Sequence, residues 1–338
     1  MTERVVVFTE RIEGPVPGLD EDLIRQNGGS IRYGRAETTA DRIRLAEGVE
    51  VLVAGNTPTP REVLSALPLL KGVIRLGIGV DSVDVKAATE LGIAVANVPD
   101  FCSEEVAEHA LGLMFAVTRK IVLADRKSRA GEWIIGMDAT LRPMRRLSGQ
   151  SLGLIGLGKI GRCLARKAQG LGLTTIAYDP HVSPDAAQAV GVPLMTLEEM
   201  LPRTDILSLH VPDTPETRGM VNARTLALLK PGAIVINAAR GAVISEDALC
   251  AALTSGHISG AGLDVLQQEP LRLPHPLAEF QNVVFTCHYA SLSEDSYAIM
   301  RREVSEQAVQ ILRGEFPRNL VNGRVKDVPQ CRLRKRSV

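Results

Sequence analysis

The sequence is poor in aromatic residues, carries no net charge and has no long apolar run. Aromatic residues make up 3% of its 338 residues, which argues against a base-stacking or lectin-like surface. Lys+Arg and Asp+Glu both number 39, so no overall field draws the chain to nucleic acid or to an anionic membrane. No apolar stretch approaches the roughly 18 residues of a membrane span, and the N-terminus is typical of a first strand rather than a signal peptide. We therefore expect neither a nucleic-acid partner nor a membrane partner.

The cysteines are few, and their spacing fits neither a disulfide framework nor a metal site. There are five, an odd number, and they are scattered along the chain. This usage predicts reduced thiols, no bound metal and a cytoplasmic location. The content of 45% hydrophobic and 23% charged residues is that of a folded globular protein, and the length suggests about two domains.

Short β-branched runs alternate with longer helical patterns, which predicts parallel sheets built from βαβ units. Four strands are predicted before residue 100: Val5–Thr9, Val49–Ala54, Val73–Leu76 and Ile93–Val98. One long helix, capped by Ser103, is then predicted to run to about Arg129. Six more strands follow: Leu152–Ile155, Thr174–Tyr178, Asp205–Val211, Ala233–Asn237, Gly260–Val265 and Val283–Thr286. Six strands interleaved with helices are typical of a dinucleotide-binding domain.

The C-terminal part begins after the second sheet is complete. A helix is predicted over Ser293–Arg313, and we expect it to return to the first domain. The basic end, Cys331–Arg336, is expected to be a frayed and solvated tail.

A glycine-rich loop follows the first strand of the second series. Residues 156–161, Gly156-Leu157-Gly158-Lys159-Ile160-Gly161, fit GxGxxG and link a strand to a helix. Gly156 can make the tight turn, Gly158 lets the backbone approach a pyrophosphate, and Gly161 allows close helix–strand packing. Phosphates would then lie at the helix N-terminus, where free N–H groups and the helix dipole favour negative charge.

An acidic residue lies at the expected distance after this loop. Asp179 ends the next strand, 18 residues after Gly161, close to the roughly 20 expected for an acid that binds the ribose. Its charge disfavours a 2′-phosphate, so the pattern predicts NAD rather than NADP. The alternative is a cluster of turn glycines beside a helix-capping Asp.

Three polar residues follow successive predicted strands of the same unit: Arg240, Glu269 and His288. Ligands of open α/β sheets bind beyond the carboxyl ends of the strands. Arg240 offers a planar fork for a carboxylate, and His288 can exchange a proton near neutral pH. Glu269, if bonded to the imidazole, would orient it and favour its charged form. Taken singly, each has an ordinary alternative: an ion pair, a solvent-facing loop residue and a semi-buried histidine. Together they predict hydride transfer with a 2-hydroxy or 2-keto acid.

Over almost its whole length the sequence resembles the D-isomer-specific 2-hydroxyacid dehydrogenase family. The matching segments are Gly77–Asp81, Val98–Asp100, Val106–His109, Leu154–Gly161, Leu209–Pro212, Asn237–Gly241, Gly262–Val265, Glu269-Pro270 and Thr286–His288. The resemblance implies an NAD-dependent enzyme that interconverts a small D-2-hydroxyacid and its 2-keto acid. Arg240, Glu269 and His288 would be catalytic, with His288 as the acid/base.

The resemblance also implies the remaining contacts of the site. Asp264 would touch the nicotinamide carboxamide, and the backbone of Ile78, Gly79 and Val80 would hold the substrate carboxylate together with Arg240, in a cleft between the domains. The full set implied for NAD(H) is Gly156, Gly158, Lys159, Ile160, Gly161, Asp179, His210, Ala238, Arg240, Asp264 and His288. Subunits would pair as a homodimer through the NAD-binding domain.

The expected fold class is α/β, with two doubly wound parallel-sheet domains. Residues 1–100 and 290–325 would form a flavodoxin-like substrate-binding domain, residues 101–289 an inserted Rossmann NAD-binding domain, and residues 326–338 the tail. Two features depart from the commonest family pattern: Cys287 stands where many members have Pro, and the C-terminal segments look more like the corepressor branch. The alternative function is therefore an NADH-sensing binding protein of the C-terminal-binding corepressor type.

Overall fold

A computed structural model describes residues 4–8, 19–36, 38–133 and 139–333 of the chain. It divides into two compact units, Met1–Phe101 with Ser293–Val338, and Cys102–Leu292. Its strands are β1 (Arg4–Phe8), β2 (Gly29–Tyr33), β3 (Val51–Ala54), β4 (Gly72–Arg75), β5 (Ala94–Ala96), β6 (Ser151–Ile155), β7 (Thr174–Tyr178), β8 (Ile206–Leu209), β9 (Ala233–Asn237), β10 (Ile258–Leu263) and β11 (Val283–Phe285).

The α-helices are α1 (Glu21–Gln26), α2 (Thr39–Leu45), α3 (Arg61–Ala66), α4 (Val85–Glu90), α5 (Ser103–Thr118), α6 (Ile121–Arg129), α7 (Lys159–Gly170), α8 (Pro184–Gln188), α9 (Leu197–Met200), α10 (Ala223–Ala227), α11 (Glu246–Thr254) and α12 (Glu294–Leu312). Within the described residues, every helix falls short of the length and apolar character required to cross a membrane.

The first unit contains a parallel sheet with the strand order β2-β1-β3-β4-β5. This is the flavodoxin-like order. The sequence pattern predicts four of these strands and misses β2. That strand starts with Gly29, lies at the sheet edge and leaves Tyr33 exposed, so it lacks the apolar signal of a buried strand. Thr9, the predicted end of the first strand, lies outside the described residues.

Helix α12 belongs to this first unit and packs on its sheet. Ser293 caps the helix in a capping box with Ser296, which supplies acceptors for otherwise unpaired N–H groups. A Cβ atom on Gly72 of β4 would lie 2.6 Å from Cδ1 of Ile311. Glycine in the strand therefore lets the helix approach the sheet closely.

The segment after α12 covers the edge of β5. Ala96 pairs antiparallel with Leu320. The Asn322 Oδ1 atom accepts from the Val95 N–H at 2.8 Å, and Nδ2 donates to the Ile93 carbonyl at 3.0 Å. The side chain of Asn322 thus satisfies backbone groups of β5, which is the edge strand of this sheet as far as the described residues show.

The expectation of a solvated C-terminal tail is wrong for residues 331–333. The Arg332 Nη1 atom donates to the carbonyls of Leu67 and Leu70 at 2.8 and 2.7 Å, and Leu333 is buried. The basic residues 334–336 of that prediction lie outside the described residues. The cause is a long-range contact: carbonyls in the segment that follows α3 provide acceptors that the Arg332 guanidinium can reach.

The second unit contains a six-stranded parallel sheet with the order β11-β10-β9-β8-β6-β7. A parallel bridge between Ala177 and Leu194 extends the sheet beyond β7. With that short pairing counted as a strand and the strands numbered from β6, the order is 3-2-1-4-5-6-7, which contains the 3-2-1-4-5-6 order of dinucleotide-binding folds. All residues of β9 are buried, as expected of a strand covered on both faces. The predicted fold class is confirmed.

The single helix predicted from Ser103 to Arg129 is in fact two helices. Lys120 has a left-handed backbone with φ of 54°, and this turns the chain between α5 and α6. Ser103 is the first residue of α5, whereas Cys102 is its N-cap and makes no side-chain capping bond. Sequence periodicity misses the break because neither glycine nor proline marks it.

Helix α5 packs closely on β10 because that strand contains glycines. A Cβ atom on Gly260 would lie 2.8 Å from Cγ1 of Val117, and one on Gly262 would lie 2.9 Å from Cβ of Leu113. The close approach also brings the side chain of His109, on α5, to the carboxyl ends of β10 and β11.

Candidate active site

The three glycines of the loop between β6 and α7 differ in what surrounds them. Gly156 has φ of +96°, and a Cβ atom there would lie 2.5 Å from the His210 carbonyl oxygen. A Cβ atom on Gly161 would overlap the Gly156 carbonyl oxygen. On Gly158 it would meet no heavy atom of the described residues within 4 Å, its chain neighbours apart. The packing of the protein backbone therefore requires glycine at positions 156 and 161, whereas Gly158 borders open space.

Helix α7 starts at this open side. Gly158 is its N-cap and gives no side-chain cap, and Lys159, Ile160 and Gly161 form its first turn. A helix N-terminus of this kind offers N–H groups and a favourable dipole to an anion. The arrangement fits the pyrophosphate of a dinucleotide.

Asp179 lies directly after β7, beside the same loop. Its Oδ2 atom accepts from the Leu157 N–H and its Oδ1 atom from the His181 N–H, both at 2.8 Å. A carboxylate oxygen can accept more than one hydrogen bond, so Asp179 can hold the loop and still accept from ribose hydroxyls. The ribose contact stays a prediction.

His210 follows β8 and is half-buried. Its Nε2 atom is 2.9 Å from Ser208 Oγ, and its buried Nδ1 atom has no hydrogen-bond partner among the described residues. Burial lowers the pKa of His210 to about 4. Its ring is therefore neutral at physiological pH and adds no charge to the loop.

Arg240 is held in a tight loop after β9. The Asn237 side chain accepts from the Ala239 N–H at 3.0 Å and donates to the Arg240 carbonyl at 2.9 Å. The Arg240 Nη1 atom donates to the Ala239 carbonyl at 2.7 Å. A Cβ atom on Gly241 would overlap the backbone of Leu266. The loop that carries Arg240, with Ala238 in it, therefore packs against the loop that leads to Glu269.

Glu269 and His288 form a direct pair. The His288 Nδ1 atom lies 2.6 Å from Glu269 Oε2, and Glu269 Oε1 accepts from the Leu266 N–H at 3.0 Å. Partial burial would raise the pKa of Glu269, but the bonds from His288 and Leu266 outweigh it and the pKa is lowered. The carboxylate is thus charged at neutral pH and orients the imidazole, with Nε2 directed away from it.

Asp264, after β10, is buried, with 2% of its surface exposed. Its carboxylate accepts from the Ala290 N–H at 3.0 Å, the Tyr289 N–H at 3.2 Å and the Thr286 hydroxyl at 2.5 Å. Its carbonyl accepts from the His288 N–H at 2.8 Å. The structure therefore gives Asp264 a role in holding the segment that carries His288, and its contact with a carboxamide stays a prediction.

The residues implied for the substrate carboxylate belong to the first unit. Ile78, Gly79 and Val80 follow β4, and the Asn97 Nδ2 atom donates to the Ile78 carbonyl at 2.6 Å. This bond ties the loop after β4 to the loop after β5. The carboxylate contact itself stays a prediction.

Sequence reasoning assigned no role to His109. Its Nε2 atom lies 2.9 Å from Thr286 Oγ1 and 3.5 Å from Asp264 Oδ1. One feature of the sequence could have indicated a role. His109 lies on the same face of the helix as the buried residues Val106, Ala110 and Leu113. The sequence separation of 177 residues between His109 and Thr286 left no local pattern to connect them.

Comparison with known proteins decides the family. A model of the D-isomer specific 2-hydroxyacid dehydrogenase, NAD binding domain, matches residues 111–290. The glyoxylate reductase of Korarchaeum cryptofilum is 40% identical over 271 residues, which cover 80% of this chain and 82% of the relative. The chain belongs to the D-isomer-specific 2-hydroxyacid dehydrogenase family. The resemblance stated from the sequence motifs is confirmed.

Two further relatives define the breadth of this family around the chain. The D-3-phosphoglycerate dehydrogenase of Methanocaldococcus jannaschii is 38% identical over 321 residues, 94% of this chain and 60% of the relative. The solved D-lactate dehydrogenase of Aquifex aeolicus, complexed with NAD and lactic acid, has a TM-score of 0.84 and 27% identity, covering 94% of this chain and 99% of that one. The chain spans only 52–60% of the length of the phosphoglycerate dehydrogenases it matches.

The second unit is this family's NAD-binding domain, and its geometry suits the cofactor. The open space at Gly158 and the N-terminus of α7 fit the pyrophosphate, and Asp179 fits a ribose without a 2′-phosphate. The polar residues that follow β9, β10 and β11 lie at the same edge of the sheet, where ligands of open α/β sheets bind.

Proposed function

We propose that this protein is an NAD-dependent dehydrogenase or reductase that interconverts a small D-2-hydroxyacid and its 2-keto acid. One observation carries the proposal: the 2.6 Å pair of Glu269 and His288 at the sheet edge that also holds the dinucleotide loop. An imidazole oriented by a carboxylate can act as a general acid or base. Beside a nicotinamide it can transfer one proton while the cofactor transfers one hydride.

NAD(H), when bound, supplies the hydride to C2 of the keto acid or accepts it from the hydroxyacid. In the reductive direction, the charged imidazole of His288 gives its Nε2 proton to the C2 oxygen, while its Nδ1 proton stays bonded to Glu269. The neutral imidazole then takes a proton from water, so each turnover consumes one hydride and one proton. In the oxidative direction His288 removes the hydroxyl proton.

Glu269 and Arg240 prepare this step in different ways. The charged Glu269 carboxylate fixes the orientation of the His288 ring through the 2.6 Å contact with Nδ1. Arg240 would bind the substrate carboxylate and polarise the C2 carbonyl with its fixed positive charge.

The test is NADH oxidation with a panel of 2-keto acids: glyoxylate, hydroxypyruvate, pyruvate, phenylpyruvate and 3-phosphohydroxypyruvate. We expect turnover of at least one, with NADH preferred to NADPH. His288→Ala should lower kcat by about 10²–10⁴-fold, the usual range for loss of a general acid, with NADH affinity by calorimetry nearly unchanged. Activity that survives this substitution would refute the role of His288.

Two other results would redirect the proposal. Tight NADH binding with no turnover of any panel member would favour the NADH-sensing alternative. Failure to bind either nucleotide would contradict the assignment of residues 156–161 as a pyrophosphate loop.

We further propose a homodimer formed through the NAD-binding unit. Helix α6 has no buried residue in the single chain, Ile121 is 53% exposed and Trp133 is 79% exposed, so these apolar side chains are available to a second copy. Light scattering should give about twice the chain mass of 36.4 kDa, and Ile121→Glu should shift the mass towards one chain. A wild-type mass of one chain would refute this.

The five free thiols support a cytoplasmic location.

A further inference from the structure

His288 holds a backbone conformation that a non-glycine residue rarely adopts. Its φ is +53°, in the left-handed region. Such conformations persist where the surrounding structure determines them from several sides. The proposed acid/base is therefore not placed by its own strand but by the contacts around it.

Asp264 provides contacts on the backbone side of His288. Three successive N–H groups converge on this residue: that of His288 on its carbonyl, and those of Tyr289 and Ala290 on its carboxylate. This clamp holds the chain immediately after the imidazole. The clamp requires Asp264 to keep a charged carboxylate in a buried place. A buried carboxylate is stable only when enough hydrogen-bond donors surround it.

His109 completes that set of donors. The Thr286 hydroxyl has one proton and gives it to Asp264 Oδ1 at 2.5 Å. At the 2.9 Å contact with His109 Nε2, Thr286 Oγ1 must therefore be the acceptor, so Nε2 of His109 carries the proton. The same Nε2 atom lies 3.5 Å from Asp264 Oδ1.

The ring of His109 also contacts the residue after the proposed acid/base. It packs edge-on against Tyr289, with ring centroids 4.9 Å apart and planes at 77°. Burial would raise the pKa of Asp264, but the hydrogen bonds from His109, Thr286 and Ala290 bring it down to about 2. His109 thus contacts Thr286, Asp264 and Tyr289, three residues that hold the segment around His288.

We propose that His109 is a positioning residue, which holds the backbone of His288 in its left-handed conformation by donating to the Thr286–Asp264 pair and bracing Tyr289. The proposal rests on the proposed function, since its kinetic consequence needs His288 to be the acid/base. It does not make His109 a catalytic residue, because its contacts are with the support.

The experiment compares two substitutions with a control on the same helix. His109→Phe keeps an aromatic edge towards Tyr289 but removes the donor, whereas His109→Gln keeps an N–H near the position of Nε2. Thr118→Val is the control, because among the described residues the Thr118 hydroxyl bonds within α5, to the Met114 carbonyl at 2.7 Å. All three variants retain the full chain.

Two readouts are expected to change together. His109→Phe should lower kcat at least 10-fold with KM for NADH within 2-fold of wild type, and His109→Gln should recover most of the loss. In hydrogen exchange read by mass spectrometry, peptides spanning residues 286–292 should exchange at least 10-fold faster in His109→Phe, and those of β6–β9 should not change. Thr118→Val should match wild type in both readouts.

Three results would overturn the proposal. The first is a wild-type rate of hydrogen exchange in residues 286–292 of His109→Phe, and the second is an equal loss of kcat in the Phe and Gln variants. The third is faster exchange throughout the second unit. The last result would mean general packing. If the wild type turns over no keto acid, the proposed function fails, while the exchange measurement still decides whether His109 holds this segment.

Discussion

Adding one methyl group at each of three glycines should separate cofactor binding from folding in the second unit. The three variants are Gly158→Ala, Gly161→Ala and Gly170→Ala, which all lie at or in helix α7. The new Cβ atom would overlap the backbone only at Gly161, and Gly158 and Gly170 differ in lying at opposite ends of the helix. The comparison therefore tests whether the open side of the loop is the pyrophosphate site.

Gly161→Ala is expected to destabilise the protein. The new Cβ atom would overlap the Gly156 carbonyl oxygen, a backbone atom that a rotamer change cannot move. Overpacking of this kind costs about 1–3 kcal/mol. For a unit of this size, 1 kcal/mol shifts Tm by roughly 2–4 °C, so Tm should fall by roughly 2–12 °C.

Gly158→Ala is expected to fold normally and bind NADH poorly. No heavy atom lies within 4 Å of the new Cβ atom, and φ is −69°, so the backbone accepts alanine. The lower entropy of the unfolded chain stabilises by about 0.4–1 kcal/mol, and the weaker N-cap offsets it by a similar amount. The methyl group would occupy the space in which a phosphate approaches, and we expect at least a 10-fold weaker Kd, about 1.4 kcal/mol.

Gly170→Ala is the control for the substitution itself. It lies at the other end of α7 with no heavy atom within 4 Å of the new Cβ atom, so alanine should stabilise the helix by up to about 1 kcal/mol and leave NADH binding unchanged. Thermal unfolding by circular dichroism and NADH titration by calorimetry measure both quantities. Wild-type NADH affinity in Gly158→Ala, or wild-type Tm in Gly161→Ala, would refute the reasoning.

Three other predictions concern stability. Asn322→Ala should lower the free energy of unfolding by about 1–3 kcal/mol, because it leaves buried backbone groups of Val95 and Ile93 unpaired; an unchanged urea midpoint would contradict this. Asp264 has a folded-state pKa of about 2, below its ordinary value of 3.8, so it contributes about 2 kcal/mol above pH 4. That contribution is lost as the pH falls from about 4 to 2, and acid titration of Asp264→Asn should lack this component. Arg332→Met should lower Tm by a few degrees, since it removes the guanidinium donor from the Leu67 and Leu70 carbonyls; faster trimming of the C-terminus by a protease would report the same loss.

Local sequence patterns were sufficient for the parts of the site that a single βα unit builds. The strand, glycine loop, helix and following acid of residues 151–179 succeed one another within a short stretch of chain, so their order predicts their geometry. The positions of Arg240, Glu269 and His288 follow from one rule, that the carboxyl ends of parallel strands meet at one edge of the sheet. The 2.6 Å contact between Glu269 and His288 needed the structure.

Other features escaped the sequence patterns because distant residues produce them. Strand β2 is held at an edge by its partner rather than by apolar alternation. The break at Lys120 lacks glycine and proline. The C-terminal segment is ordered by Arg332, whose acceptors lie more than 260 residues earlier.

By itself the sequence determined the fold class, the dinucleotide loop and the three polar residues proposed for catalysis, because each depends on short-range spacing or on a general rule of parallel sheets. Only the tertiary structure decided how His288 is held. Its left-handed backbone, the clamp of Asp264 and the donor of His109 come from two strands and a helix that are remote in the chain. Hydrogen bonds between such elements form only when the packed core brings them within 3 Å or so, and one-dimensional patterns do not contain that distance.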